Sequence, residues 1–102
     1  ADLHEHLAIG PMDIDLAAHK VTCKCEAIHL GPIEYRLLVF IASHMGRVYS
    51  RTYLLTHFWS GVLDVDERTV DVYIRRLSKL LEPFGCEDMI QTVRGAGYRL
   101  EA

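Results

Sequence analysis

The sequence predicts an α+β domain in which a small antiparallel sheet precedes three helices and a closing β-hairpin. Three observations carry that expectation. Residues 3–30 break into the short segments LHEHLAIGP, MDIDLAA, KVTCK and EAIHL, and MDIDL alternates apolar and acidic residues with period 2. From Pro32 to about position 82 the apolar residues take helical spacing instead. The tail then returns to strand-like content on both sides of Gly95-Ala96-Gly97.

Each element has a local cause. Gly10-Pro11, Ala17-Ala18-His19 and Lys24 to Glu26 supply turns that divide the first thirty residues into three or four strands. Pro32 suits the first helical position, where its missing N–H costs nothing, and Glu34 follows in the first turn. Ile33, Leu37, Leu38, Ile41 and Met45 repeat at helical spacing and Gly46 suits a C-terminus, so the first helix is expected over about 32–45. Arg47-Val48-Tyr49 is a brief extended link. Ser50 is a good N-cap for a second helix carrying Leu54, Leu55, Phe58 and Trp59. Tyr53 stands where a capping-box Glu would sit, so that cap is half made. Ser60-Gly61 ends the helix, and 61–66 reads as an irregular loop. A third helix is expected from about 66 to 82, with Asp64, Asp66 and Glu67 at its positive end and Pro83 and Gly85 beyond it. Segments 89–94 and 98–101 are the arms of the hairpin.

The chain has 102 residues, half of them hydrophobic and a quarter charged. Those proportions fit one soluble globular domain spanning 1–102, with no repeat, linker or low-complexity stretch. The longest apolar runs, such as LLVFIA at 37–42, fall far short of the ~20 residues a membrane span needs. No basic, apolar and small-residue leader is visible, and Ala1 in place of Met suggests a module from a longer chain. Three cysteines cannot all pair within one chain, so Cys23, Cys25 and Cys86 read as reduced thiols in a cytoplasmic setting. Cys23-x-Cys25 sets two thiols on one strand face near His19 and His29, but a zinc site wants a second ligand pair. His4-Glu5-His6 lies at a terminus. No Ser/His/Asp arrangement has a recognisable context, and Gly95-x-Gly97 lacks the strand-to-helix setting of a phosphate loop. The expectation is a binding module with no cofactor or metal, not an enzyme.

The formal net charge is -3, yet residues 68–80 hold four basic residues and one acid. On the third helix Val70, Ile74, Leu77 and Leu81 share one narrow stripe. Arg68, Arg75, Arg76 and Lys79 gather on the opposite arc of roughly 100°. Val72 lies among them, and Thr69 and Tyr73 border the group. A charged stripe is often only a solvated face. This one carries a single acid, Asp71, off to its side, and Val72 is better placed against a thymine methyl than in water. The hairpin Thr92-Val93-Arg94-Gly95-Ala96-Gly97-Tyr98-Arg99 adds arginines around a narrow tip, as entry into a DNA minor groove requires. After a basic third helix, it looks like the wing of a winged helix-turn-helix.

GPIEYRLL, VYSRTYLL, DERTVDVYIRRLSKLLEP and IQTVRGAGYRL resemble the OmpR/PhoB-type DNA-binding domain of bacterial response regulators, in its PhoB branch, over about residues 7–101. The resemblance implies a winged helix-turn-helix with an N-terminal four-stranded antiparallel sheet, three helices and a C-terminal β-hairpin wing. It implies binding to double-stranded DNA at direct-repeat sites by tandem head-to-tail copies, and transcription regulation as the output of a two-component system. There a sensor kinase acts on an N-terminal receiver domain that is absent here. Carried over by position, Arg76 approaches bases in the major groove and Arg94 enters the minor groove. Trp59, Arg68, Thr69, Arg75, Thr92 and Tyr98 match backbone-contacting positions, and Val72 and Lys79 belong to the same face. Tyr73 stands where PhoB-like domains have His, Ser78 replaces a phosphate-contacting Arg, and Ala96 replaces a wing Thr. The loop from Trp59 to Glu67 resembles the transactivation loop that meets the sigma subunit of RNA polymerase, through Val65, Asp66 and Glu67, with Ser60 in place of a Gly. The alternative class is a winged-helix protein-interaction module whose basic face meets an acidic protein partner.

Overall fold

Period-2 alternation builds the first layer. In the computed structural model, which describes residues 5–101, β1 (His6–Ile9), β2 (Met12–Asp15), β3 (Lys20–Cys23) and β4 (Glu26–Ile28) form an antiparallel sheet in that order. The register pairs Ile9 with Met12, Ile14 with Val21 and Val21 with Ile28. These residues are all buried on one face, whereas Asp13 and Asp15 point the other way. Lys24 and Cys25 both have positive φ (53° and 68°), the backbone of a tight two-residue hairpin turn. Cys25 therefore sits in the turn, not on a strand face beside Cys23.

The cysteine expectation needs a second correction. Cys23, inward on β3, and Cys86, buried beyond the third helix, are joined in a disulfide across 63 residues, while Cys25 is free and exposed. An odd count excludes only one cysteine from pairing. The inner face of β3 and the turn after the helix bring the other two together. His4 lies outside the described residues; His6 Nδ1 is 3.1 Å from Asp13.

The helices start where their caps predict. α1 (Pro32–Ala42) has Pro at its start and buries Leu37, Leu38, Ile41 and Ala42. It stops three residues short of position 45. Both the N–H and the hydroxyl of Ser43 donate to the Val39 carbonyl, and Gly46 donates instead to Leu100 in the final strand. Met45 is consequently exposed. α2 (Arg51–Trp59) begins after Ser50, whose hydroxyl accepts from the Tyr53 N–H at 3.0 Å. α3 (Glu67–Leu81) begins after Asp66, whose carboxylate accepts from the Arg68 N–H at 2.9 Å. A 3-10 turn at Glu82–Phe84 and Gly85, at φ 73°, lead out of it.

The stripe Val70, Ile74, Leu77 and Leu81 is buried as a unit, in one core cluster with Leu37, Leu38, Leu54, Leu100 and the inward residues of the sheet. Each such side chain contributes about 1.5–3 kcal/mol relative to exposure, which fixes the rotation of α3 about its own axis. β5 (Ile90–Val93) and β6 (Gly97–Leu100) form the hairpin, with Val93 opposite Gly97. The turn is thus Arg94-Gly95-Ala96, and Gly97 belongs to a strand. Tyr49 pairs with Tyr98 as an added bridge, so the hairpin is anchored to the α1–α2 link. The fold is a winged helix-turn-helix with a four-stranded N-terminal sheet. Among the described residues no helix is long and apolar enough to cross a membrane.

Candidate nucleic-acid interface

Because the apolar stripe locks α3, its opposite face is set as well. Arg68, Val72, Arg75, Arg76 and Lys79 are exposed there, Val72 at 47%, and Thr69 and Tyr73 are half-buried at the edges. The face is not a uniform row of free cations. Arg68 folds back over the helix start, its Nε and Nη2 lying 3.3 and 3.2 Å from Asp66 Oδ2. The hydrogen bonds from Arg68 hold the Asp66 carboxyl below its ordinary range. Both side chains are exposed, so the pair is weak and its Arg can exchange a carboxylate for a phosphate.

Arg76 is held differently. Its guanidinium lies over the Tyr73 ring, 4.9 Å from the centroid, and that ring stands 5.3 Å from the ring of Trp59 on α2. Trp59 is only 8% exposed. Three residues that the sequence assigns separately to DNA therefore form a series, in which the indole backs the phenol and the phenol backs the guanidinium. Cation–π stacking of this kind narrows where Arg76 can point.

On the hairpin, Thr92 and Arg94 are exposed and Gly95 has φ 75° with open space around it. Gly97 is small for an internal reason. A Cβ built there would lie 1.9 Å from the Tyr49 carbonyl oxygen, so the close approach is to the protein's own backbone. Tyr98 is 8% exposed, and its hydroxyl donates to Asp71 Oδ1 at 2.5 Å. Asp71 Oδ2 in turn accepts from Arg51 Nη2 at 3.1 Å. Burial, then the Asp71 hydrogen bond, push the Tyr98 phenol up to about 12.

The groove between α3 and the hairpin is also lined by Arg51 and Thr52, which lie outside the residues expected at the interface from sequence. Thr52 donates to Glu67 at 3.0 Å. A signal for Arg51 was present: a cation in the first turn of a helix opposes the helix dipole and needs another reason to be there.

In the α2–α3 loop, Val62 and Leu63 are exposed, Leu63 at 84%, and Asp64 has φ 62°. Of the predicted contacts, Val65 packs partly against the core, Asp66 caps α3, and Glu67 holds Thr52.

Against known proteins, the family model described as transcriptional regulatory protein, C terminal, matches residues 25–100. The phosphate regulon transcriptional regulatory protein PhoB of Escherichia coli (strain K12) is 46% identical over 97 residues, covering 95% of this chain and 42% of that protein. The chain thus spans about two-fifths of the length of such relatives. Among solved structures, the response regulator AdeR DNA-binding domain in complex with an intercistronic region superposes with a TM-score of 0.82 at 31% identity, over 94% of this chain and 99% of that one. The Klebsiella pneumoniae RstA DNA-binding domain in complex with the RstA box gives 0.82 at 30% identity, over 96% and 98%.

Proposed function

This chain belongs to the transcriptional regulatory protein, C-terminal family, the OmpR/PhoB-type effector domains of response regulators, and we propose that it binds duplex DNA through α3 and the β5–β6 wing. The observation that carries this reading is the placement of Arg75, Arg76 and Lys79 on one exposed face, beside Arg94 on the hairpin. None of these four has a salt-bridge partner among the described residues. In this reading α3 enters the major groove, with Arg76 and Val72 toward base edges. Arg68, Thr69, Arg75, Lys79 and Thr92 meet phosphates, and Tyr73, Trp59 and Tyr98 support the contacting side chains. Arg94 enters the adjacent minor groove, where a narrow A·T-rich segment concentrates negative potential.

The larger setting is part of the same proposal. The 102 residues are one output domain in the cytoplasm, coupled to a receiver domain that a sensor kinase phosphorylates. Tandem head-to-tail copies occupy direct-repeat sites and regulate transcription there. Selection from randomised duplexes, followed by a salt titration on the winner, tests the core of it. Five neutralised phosphates predict a log–log slope near about -4.5 and preference for one sequence. Arg94→Ala should lose about five-fold more affinity on an A·T-rich flank than on a G·C-rich one. Binding with no duplex preference, together with tight binding to an acidic protein, would move the basic face to the protein-interaction class.

The α2–α3 loop is proposed to touch the sigma subunit of RNA polymerase through Val65, Asp66 and Glu67, with Leu63 beside them. Asp64, Asp66 and Glu67 would repel DNA, so a protein partner suits this acidity better. Leu63→Ala removes an exposed side chain and should leave stability within about 0.5 kcal/mol of the parent while lowering promoter activation. Asp66→Ala needs a stability control, since losing the cap costs ~1 kcal/mol. Unchanged activation by folded, DNA-binding Val65 and Leu63 variants would remove the loop from the activation surface.

A further inference from the structure

Asp71 is the one acid of α3 beside its basic face, and a carboxylate close to DNA phosphates weakens binding unless it does something else. Its surroundings say what that is. Oδ1 accepts the Tyr98 hydroxyl from β6, and Oδ2 accepts Arg51 from the first turn of α2. Among the described residues the Tyr98–Asp71 contact is the hydrogen bond that joins α3 to the hairpin. The backbone of Tyr98 is itself fixed: its N–H donates to the Tyr49 carbonyl at 2.9 Å and its carbonyl accepts from the Tyr49 N–H at 2.8 Å. Arg94 lies four residues back along the same hairpin, at the exposed turn.

We propose that Asp71 is a positioning residue for DNA recognition: through Tyr98 it sets the hairpin against α3, so that Arg94 and Arg76 reach adjacent grooves in one geometry. Through Arg51 it also neutralises itself, and the Arg51–Asp71 pair presents no net charge to the phosphates. The inference rests on the groove assignments proposed above. It adds a link between them that sequence motifs do not reveal, because the three partners come from three separate elements. It also explains why an otherwise single-signed face keeps an acid. A link of this kind restricts the wing before DNA arrives, which favours the duplexes whose flank Arg94 fits, so its removal is read most directly as lost discrimination between sequences.

Two consequences have opposite signs, which separates positioning from mere stabilisation. Removing the carboxylate frees Arg51 and deletes a negative charge near DNA, so binding to random duplexes should rise and the salt slope should steepen by up to about 1. Removing the tie to Tyr98 should loosen the wing and erode the flank preference. Three variants of the 102-residue chain divide the two effects. Asp71→Ala should steepen the slope and bring the preference for an A·T-rich over a G·C-rich flank from about five-fold toward unity. Tyr98→Phe keeps the buried ring but not the hydroxyl, and should lose the flank preference with the slope unchanged. Asp71→Asn still accepts from Tyr98, and should retain the preference while steepening the slope.

Backbone 15N relaxation of the free chain gives a reading that needs no DNA. Order parameters at residues 94–97 should fall in Tyr98→Phe and Asp71→Ala and stay at the parent level in Asp71→Asn. If the parent shows no flank preference, the minor-groove role of Arg94 fails, and the relaxation data alone decide the positioning role. Wild-type order in Tyr98→Phe and Asp71→Ala would overturn the proposal. A uniform loss of affinity on all duplexes in the folded variants, with flank preference intact, would overturn it too.

Discussion

Gly97→Ala is expected to cost about 3 kcal/mol of stability or more, against about 1 kcal/mol for Gly95→Ala two residues away. Both positions have positive φ, 75° at Gly95 and 141° at Gly97, so backbone strain alone predicts a penalty at each. What differs is the space around the new methyl. At Gly95 nothing lies within 4 Å. At Gly97 the Cβ would meet the Tyr49 carbonyl oxygen at 1.9 Å, the Tyr49 carbonyl carbon at 2.7 Å and the Ser50 Cα at 2.9 Å. These are backbone atoms next to the N-cap of α2, and they cannot rotate aside as a side chain can. Relief requires the hairpin to draw away from the α1–α2 link, which breaks the paired bonds between Tyr49 and Tyr98. Thermal unfolding reads the difference directly, since 3 kcal/mol corresponds to a Tm lower by at least about 12 °C in a domain of this size. DNA binding should be lost at temperatures where the Gly97 variant is unfolded, and retained by the Gly95 variant. Equal costs at the two glycines would show that φ matters at Gly97 and the Tyr49 contact does not.

That glycine also marks the boundary of what the amino-acid order reveals. Period and capping act within a few residues, so an antiparallel sheet of three or four strands, the caps at Ser50 and Asp66, and the buried stripe of α3 are legible. The basic face followed from the stripe, because a helix that buries Val70, Ile74, Leu77 and Leu81 must expose Arg75, Arg76 and Lys79. Interactions between distant segments were not legible. Nothing near Ser43 announces that Gly46 bonds to Leu100, so the helical spacing that continues to Met45 outruns the end of α1 by three residues. Nothing in an odd cysteine count selects Cys23 and Cys86 over the other pairings. The small residues of the hairpin suggested close approach to a ligand, and at Gly97 the approach is to Tyr49. Charge shows the same limit. Composition counts Arg51, Arg75, Arg76 and Lys79 alike, whereas Asp71, twenty residues on, pairs with Arg51 and the other three have no salt-bridge partner among the described residues.

Arg76→Ala should cost the specific site ~1–3 kcal/mol while leaving random-duplex binding nearly unchanged, because a base contact is lost and phosphate contacts remain. The series behind this arginine sharpens the expectation. A free Arg side chain has rotamer freedom of roughly 2 kcal/mol to lose on docking. Stacking over Tyr73 removes part of that cost before DNA arrives, and Trp59 keeps the Tyr73 ring in place. Tyr73→Ala should therefore weaken the specific complex by about 0.5–1 kcal/mol, even if the Tyr73 hydroxyl touches no base. Tyr73→Phe, which keeps the ring face, should restore most of it. The double variant of Arg76 and Tyr73 to Ala should lose scarcely more than Arg76→Ala alone, since the ring acts through the guanidinium. Arg76→Lys should fall well short of the parent, because an ammonium cannot make the two parallel hydrogen bonds that a guanidinium offers guanine. Competition binding of each variant to specific and random duplexes measures all of this. Strict additivity of the two Ala substitutions would separate Tyr73 from Arg76 and give the phenol a DNA contact of its own.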